Sequence, residues 1–302
     1  MMSGKVFPPA PAADPGARWL RRLAWVCAAL VLAIILLSAT LRLAKSGIGC
    51  APWPQCYGAA QAGAVAQAPD ALAPVRAAHR VLAVAALGLV LIMLAIGLGG
   101  RPRWQQDSGE ALALLGVTLF LALLGPFSAG SVLPAVALGN LLGGFAMLAL
   151  CVRLAARRRV GGAGARAWAW LLALAVLAQV VLGGLASATG SILSCDGLAD
   201  CAAAAQGQSW AALQPWRAPG SAPGAPVQWL HRLAAWGVVA LGVPLAWRRL
   251  RQGDRGAGLL LACLLAQIVL GPAMVSAHFP MALVLAHNAL AACTLALAAR
   301  WL

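Results

Sequence analysis

Eight apolar stretches divide the chain, at about residues 19–43, 75–98, 110–127, 132–154, 167–188, 227–247, 257–276 and 280–301. Each approaches or exceeds the ~18–20 residues needed to cross a bilayer. A backbone in lipid must satisfy its own hydrogen bonds, so each stretch is expected to be a helix. Charged residues lie in the intervals or near the ends of the stretches. The pattern predicts an all-α membrane protein of eight transmembrane helices.

The same unit is written twice. Pro74-Val75-Arg76-Ala77-Ala78-His79-Arg80 opens the second stretch, and Pro226-Val227-Gln228-Trp229-Leu230-His231-Arg232 opens the sixth. Gly125-Pro126 and Gly271-Pro272 are expected to close the third and seventh, while Pro134 and Pro280 start the fourth and eighth. Four spans per copy make the copies parallel, related by an axis along the membrane normal. The expected organisation is a disordered tail (1–18), an N-terminal four-helix bundle (19–156) and a C-terminal four-helix bundle (167–302). No cleavage pattern precedes the first span, so the tail does not read as a signal peptide.

Composition agrees, with 62% apolar and 10% charged residues. A net charge of +15 would suggest nucleic acid in a soluble protein, but its distribution gives another explanation. Most of the 22 basic residues fall at the N-terminus or in the short turns around 101–103, 157–166 and 248–255. Arg42, Lys45, Arg76, Arg80, Arg217 and Arg232 lie at the opposite ends of the spans. The positive-inside rule then puts both termini in the cytoplasm, and the chain is expected to be a multi-pass protein of the inner (plasma) membrane with no nucleic-acid partner.

The first and fifth spans each run into a loop with two cysteines at the same spacing, Cys50/Cys56 and Cys195/Cys201. In an oxidising outer compartment each pair reads as a local disulfide. Zinc is the weaker alternative, because neither loop offers further cysteine or histidine ligands. Cys27, Cys151, Cys263 and Cys293 fall within spans and read as small hydrophobes. Pro/Gly/Ala-rich stretches, 59–73 and 202–225, follow the two loops and are expected to pack over the mouth of a site.

The spans lack interior carboxylates, since Glu110 and the six aspartates lie in loops or at span edges. That disfavours ion-coupled transport. Histidine remains as the candidate chemistry. His231 and His287 stand five and seven residues after their leading prolines, roughly 7–11 Å below their helix starts at ~1.5 Å per residue. Two imidazoles at one depth in a four-helix bundle suit axial ligation of a haem iron. Arg232, and Arg80 in the other half, stand where propionates would point. A lone intramembrane histidine more often makes an interhelical hydrogen bond; the depth match and the repeated His-Arg pattern favour ligation. His278, in the turn before Phe279-Pro280, reads as a surface residue. Most tryptophans flank spans as interfacial anchors.

Arg42 through Gly58 (Arg-Leu-Ala-Lys-Ser-Gly-Ile-Gly-Cys-Ala-Pro-Trp-Pro-Gln-Cys-Tyr-Gly), with His79-Arg80, Gln228-Trp229-Leu230-His231-Arg232 and His287-Asn288, resembles the haem A synthase family. The resemblance covers nearly the whole chain from about residue 20. It implies an oxidoreductase that converts a methyl group of haem O to the formyl group of haem A for terminal oxidases. By that likeness, His231 and His287 hold a haem b cofactor in the C-terminal half, and His79 and position 140 belong to the substrate-haem half. Cys50/Cys56 and Cys195/Cys201 correspond to the family's outer-loop cysteines. Expected partners are haem O, the enzyme that makes it, membrane lipid, the terminal oxidase assembly and a second copy of the chain.

Two positions depart from the family pattern. Arg76 stands where the family has a glutamate, and Asn140 where it has a histidine. The first reverses a charge beside the proposed substrate haem, and the second removes an ordinary iron ligand. These changes leave open a second function, a haem-binding protein of haem handling or oxidase assembly that performs no methyl oxidation.

Overall fold

The structure is a computed structural model that describes residues 15–45, 47, 48, 50, 55, 56, 71–99, 105–156, 163–195 and 197–302. The tail through residue 14, the middle of the first cysteine loop, most of 59–73 and the basic turns at 100–104 and 157–162 lie outside the described residues.

Among the described residues, eight helices are long and apolar enough to cross a membrane. They are α1 (Pro15–Lys45), α2 (Ala73–Leu98), α3 (Gln105–Gly130), α4 (Pro134–Ala155), α5 (Ala163–Ala188), α6 (Ala225–Arg251), α7 (Arg255–Ser276) and α8 (Met281–Ala299). Among the described residues there is no strand, so the protein is the all-α membrane protein that its pattern predicts. Large apolar side chains face outward, including Val84, Leu123 and Val269 at 72, 72 and 71% exposure. Such a surface is stable against lipid, not water.

Helix starts follow backbone chemistry. Prolines stand in the first turns of α2, α4 and α6, where a missing N–H costs nothing. Before α8 the chain turns through His278 and Phe279 with φ of 58° and 57°. Phe279 is buried and His278 exposed, and burial of the phenyl ring holds this left-handed turn. One expectation is corrected: Pro126 and Pro272 do not close their helices but lie inside α3 and α7, which continue to Gly130 and Ser276. A membrane helix tolerates proline because neighbouring helices and local adjustment re-satisfy the freed backbone.

Each half is a ring of four helices. In the C-terminal half α5 packs on α6, α6 on α7, α7 on α8 and α8 back on α5, leaving α6 and α8 at opposite corners. The N-terminal half repeats the ring, with α2 and α4 opposite. The seam joins α1 and α4 to α8 and α5. Its core includes Val31, Leu141, Phe145 and Leu148 with Val176, Leu295 and Ala296.

The duplication extends to charge. At the end away from the cysteine loops, Arg153 of α4 bonds Glu110 of α3 at 3.1 Å. Arg300, just after α8, lies 3.6 Å from Asp254, the N-cap of α7. Two acids that the sequence marks only as span-edge residues thus staple the last hairpin of each half. Asp254 is 5% exposed. Burial alone would raise its pKa, but the indole N–H of Trp301, the Arg300 charge and the N–H groups of Gly256 and Ala257 outweigh burial and hold it below the usual aspartate value. Gly256 leaves the space that the Arg300 guanidinium occupies, since a Cβ there would displace it.

The segment between α5 and α6 folds over the cysteine-loop end through two 3-10 turns, Ser191–Leu193 and Trp210–Leu213, and a short helix, Cys201–Ala205. Gln228 Nε2 of α6 donates to Ile192 O at 2.9 Å. Ala135 N of α4 donates to Pro215 O at 2.8 Å, so this cap also reaches the N-terminal half.

A histidine pair between opposite corners of the C-terminal bundle

His231 lies in the second turn of α6 and His287 in the second turn of α8, and the ring organisation directs both across the bundle. Their ring centroids are 6.3 Å apart with planes at 70°. An iron about 2 Å from one nitrogen of each ring, on a straight line, puts the two centres about 6 Å apart. Rotation about each metal–nitrogen axis leaves the angle between planes free. Both Nδ1 atoms are buried without a hydrogen-bond partner. Among the described residues no group of three or more His, Cys, Asp or Glu could hold a metal ion. Two protein ligands suit a metal whose other positions a macrocycle fills, and not a bare zinc ion.

The helices beside the histidines shape the space around them. Gly183 of α5 faces the His231 ring so closely that a Cβ would come within 2.8 Å of Cε1; at Gly271 of α7 a Cβ would lie 4.0 Å from Cε1 of His287. One helical turn earlier on each of those helices stands a glutamine. Gln179 Nε2 donates to His231 O at 2.9 Å, and Gln267 Nε2 to His287 O at 2.8 Å. Hydropathy reasoning passes over these residues, yet they carry a readable signal: Gln179-Val-Val-Leu-Gly183 recurs as Gln267-Ile-Val-Leu-Gly271.

Arg232 Nη1 donates to Gly197 O at 2.6 Å and to Leu198 O at 3.1 Å, tying α6 to the loop after Cys195. Its Nε and Nη2 are buried without partners, so part of the guanidinium remains available to an anion. Across the seam, Arg42 Nη2 of α1 meets Asn288 Oδ1 of α8 at 3.4 Å. The residue after His287 therefore touches the N-terminal half.

The matching corner of the N-terminal half is different. His79 on α2 is half-buried, and Arg76 and Arg80 are exposed. Asn140 on α4 bonds the hydroxyl of Ser128 on α3, and that hydroxyl donates to Leu124 O at 3.1 Å. Lys45 of α1 caps the same corner, donating to Ser131 O at 2.6 Å and Ser128 O at 3.3 Å. Cys50–Cys56 and Cys195–Cys201 are disulfide-bonded, with Cα separations of 6.0 and 5.1 Å.

Fold and site together define a duplicated four-helix membrane protein that keeps a facing histidine pair in its second copy. A family profile described as cytochrome oxidase assembly protein matches residues 21–299, and the chain belongs to that family. It is 28% identical to a protein of Shewanella oneidensis named heme A synthase, over 89% of this chain and 91% of that relative. The likeness to haem A synthases carried by the cysteine loop and the His-Arg helices is therefore borne out.

Proposed function

We propose that the chain is an oxidoreductase of the haem A synthase type, converting a methyl group of haem O to the formyl group of haem A, with haem b held between His231 and His287. The observation that carries this reading is the pair of half-buried imidazoles 6.3 Å apart, a separation that fits one iron between them. Bound there, haem b supplies one-electron transfer. The chain's own groups do the rest: Gly183 leaves room for the His231 ring, and Nε and Nη2 of Arg232 offer charge to a propionate. In the other half His79 holds the substrate iron alone, with Arg76 and Arg80 on the same helix end supplying positive charge toward its propionates. The protein sits in the plasma membrane with both termini cytoplasmic, receives haem O from the enzyme that makes it, and serves the assembly of a terminal oxidase. A homo-oligomer is compatible with this arrangement.

A second reading, a haem-binding assembly protein without methyl oxidation, is favoured by one observation: Asn140 stands at the expected ligand position and is tied to Ser128. Co-expression with a source of haem O separates the two. Extracted haem A that disappears in His231→Ala supports the enzyme; unconverted haem O beside an intact low-spin haem b spectrum supports the second reading.

A further inference from the structure

The C-terminal bundle treats its two histidines alike in a way that no hydropathy argument requires. On α5 and on α7 the same five-residue pattern places a glutamine one turn before a glycine. The glycine meets the imidazole. The glutamine amide bonds the backbone carbonyl of that same histidine, at 2.9 Å in one case and 2.8 Å in the other. A helical carbonyl already accepts from the N–H four residues on, so each glutamine adds a second donor, and it does so at His231 and His287 themselves.

The remaining atoms show what this arrangement lacks. Oε1 of Gln179 and of Gln267 are buried without partners, as are Nδ1 of His231 and of His287. An acceptor and a potential donor are thus both unsatisfied, on residues already bonded to each other, at two symmetric places. Leaving buried polar atoms unpaired is costly. A neutral imidazole that gives one nitrogen to a metal carries its proton on the other, which then needs an acceptor.

We propose that Gln179 and Gln267 are positioning residues for a bis-histidine haem. Nε2 of each holds the ligand's backbone against the neighbouring helix, and Oε1 accepts the Nδ1 proton, directly or through one water, once iron occupies the other nitrogen. The proposal rests on the reading of His231 and His287 as haem ligands. Its consequence is a site in which ligand position and ligand basicity are set by the same two amides, one on each side of the iron.

The test uses the full chain purified in detergent with its haem b. Gln179→Met and Gln267→Met keep side-chain length but remove donor and acceptor. Gln228→Met is the control, because Gln228 is also buried and bonded to a carbonyl, that of Ile192, but to neither histidine. Haem transfer to excess apomyoglobin should accelerate roughly 10-fold to 100-fold in each test variant. The haem midpoint potential should rise as the ligands become less basic, and the control should leave that potential unchanged. Gln179→Glu should restore slow release and a potential at or below the unmodified one. Unchanged release and potential in both methionine variants would overturn the proposal, as would an equal shift in the control. Failure of the underlying reading looks different: the unmodified chain would carry no low-spin haem, or His231→Ala would retain it.

Discussion

At the level of single residues, His231 and His287 were legible because histidine is costly in lipid and both follow a leading proline within two helical turns. Their setting was not, because Gln179 and Gln267 stand in continuous apolar runs with no charge to mark them. Replacing either histidine with alanine should abolish the low-spin haem spectrum, while His79→Ala should keep it; absorption spectra of the three purified variants check this. Glycine contacts give a graded expectation. Gly183→Ala drives a methyl to within 2.8 Å of the His231 ring and should reduce haem content, whereas Gly271→Ala, at 4.0 Å from His287, should be tolerated. A pyridine haemochrome assay on matched protein amounts distinguishes them. Spacing also identified the cysteines that pair. Each disulfide closes a ring of few residues and contributes about 2 kcal/mol on the chain-entropy account, so Cys195→Ser with Cys201→Ser should lower the thermal midpoint modestly.

At the level of elements, the number of helices and most of their starts followed from apolar run length and proline position. Their ends followed less well, as Pro126 and Pro272 show: in water these prolines would mark a stop, but in a packed membrane bundle the chain continues as helix. The Glu110–Arg153 and Asp254–Arg300 pairs make each closing hairpin sensitive to charge. Asp254 has a lowered folded pKa, so its contribution is fully present above the unfolded value of about 4 and is lost as pH falls through the folded value. The thermal midpoint in detergent should therefore not change with pH through Asp254 near neutrality, and should fall in acid below about pH 4. Asp254→Asn should cost about 2 kcal/mol at neutral pH, by leaving Arg300 without its partner, and should flatten that acid limb.

At the level of the whole molecule, two copies of one ring meet along α1, α4, α5 and α8, with the Arg42–Asn288 contact joining the N-terminal half to the helix that carries His287. The copies have diverged at corresponding corners, a histidine pair in one and His79 with an asparagine–serine bond in the other. If that divergence weakens the first site, Arg76→Glu combined with Asn140→His should raise haem content per chain or haem A yield. A drop in haem A yield in the double variant would instead mean that the natural residues form a competent alternative site. The sequence by itself determined the solvent, the helix count, the duplication and the candidate histidines, because lipid imposes a length and a hydrogen-bonding rule on every span and makes an ionisable side chain within one conspicuous. Tertiary structure decided which helices stand at opposite corners, and hence that the imidazoles lie 6.3 Å apart. It also decided that Gln179 and Gln267 reach those same histidines, and that Asp254 and Glu110 are stapled to arginines. Those facts depend on the rotation of each helix about its axis, and in an almost uniformly apolar span that rotation is set by packing against neighbours and leaves little trace in the hydropathy pattern.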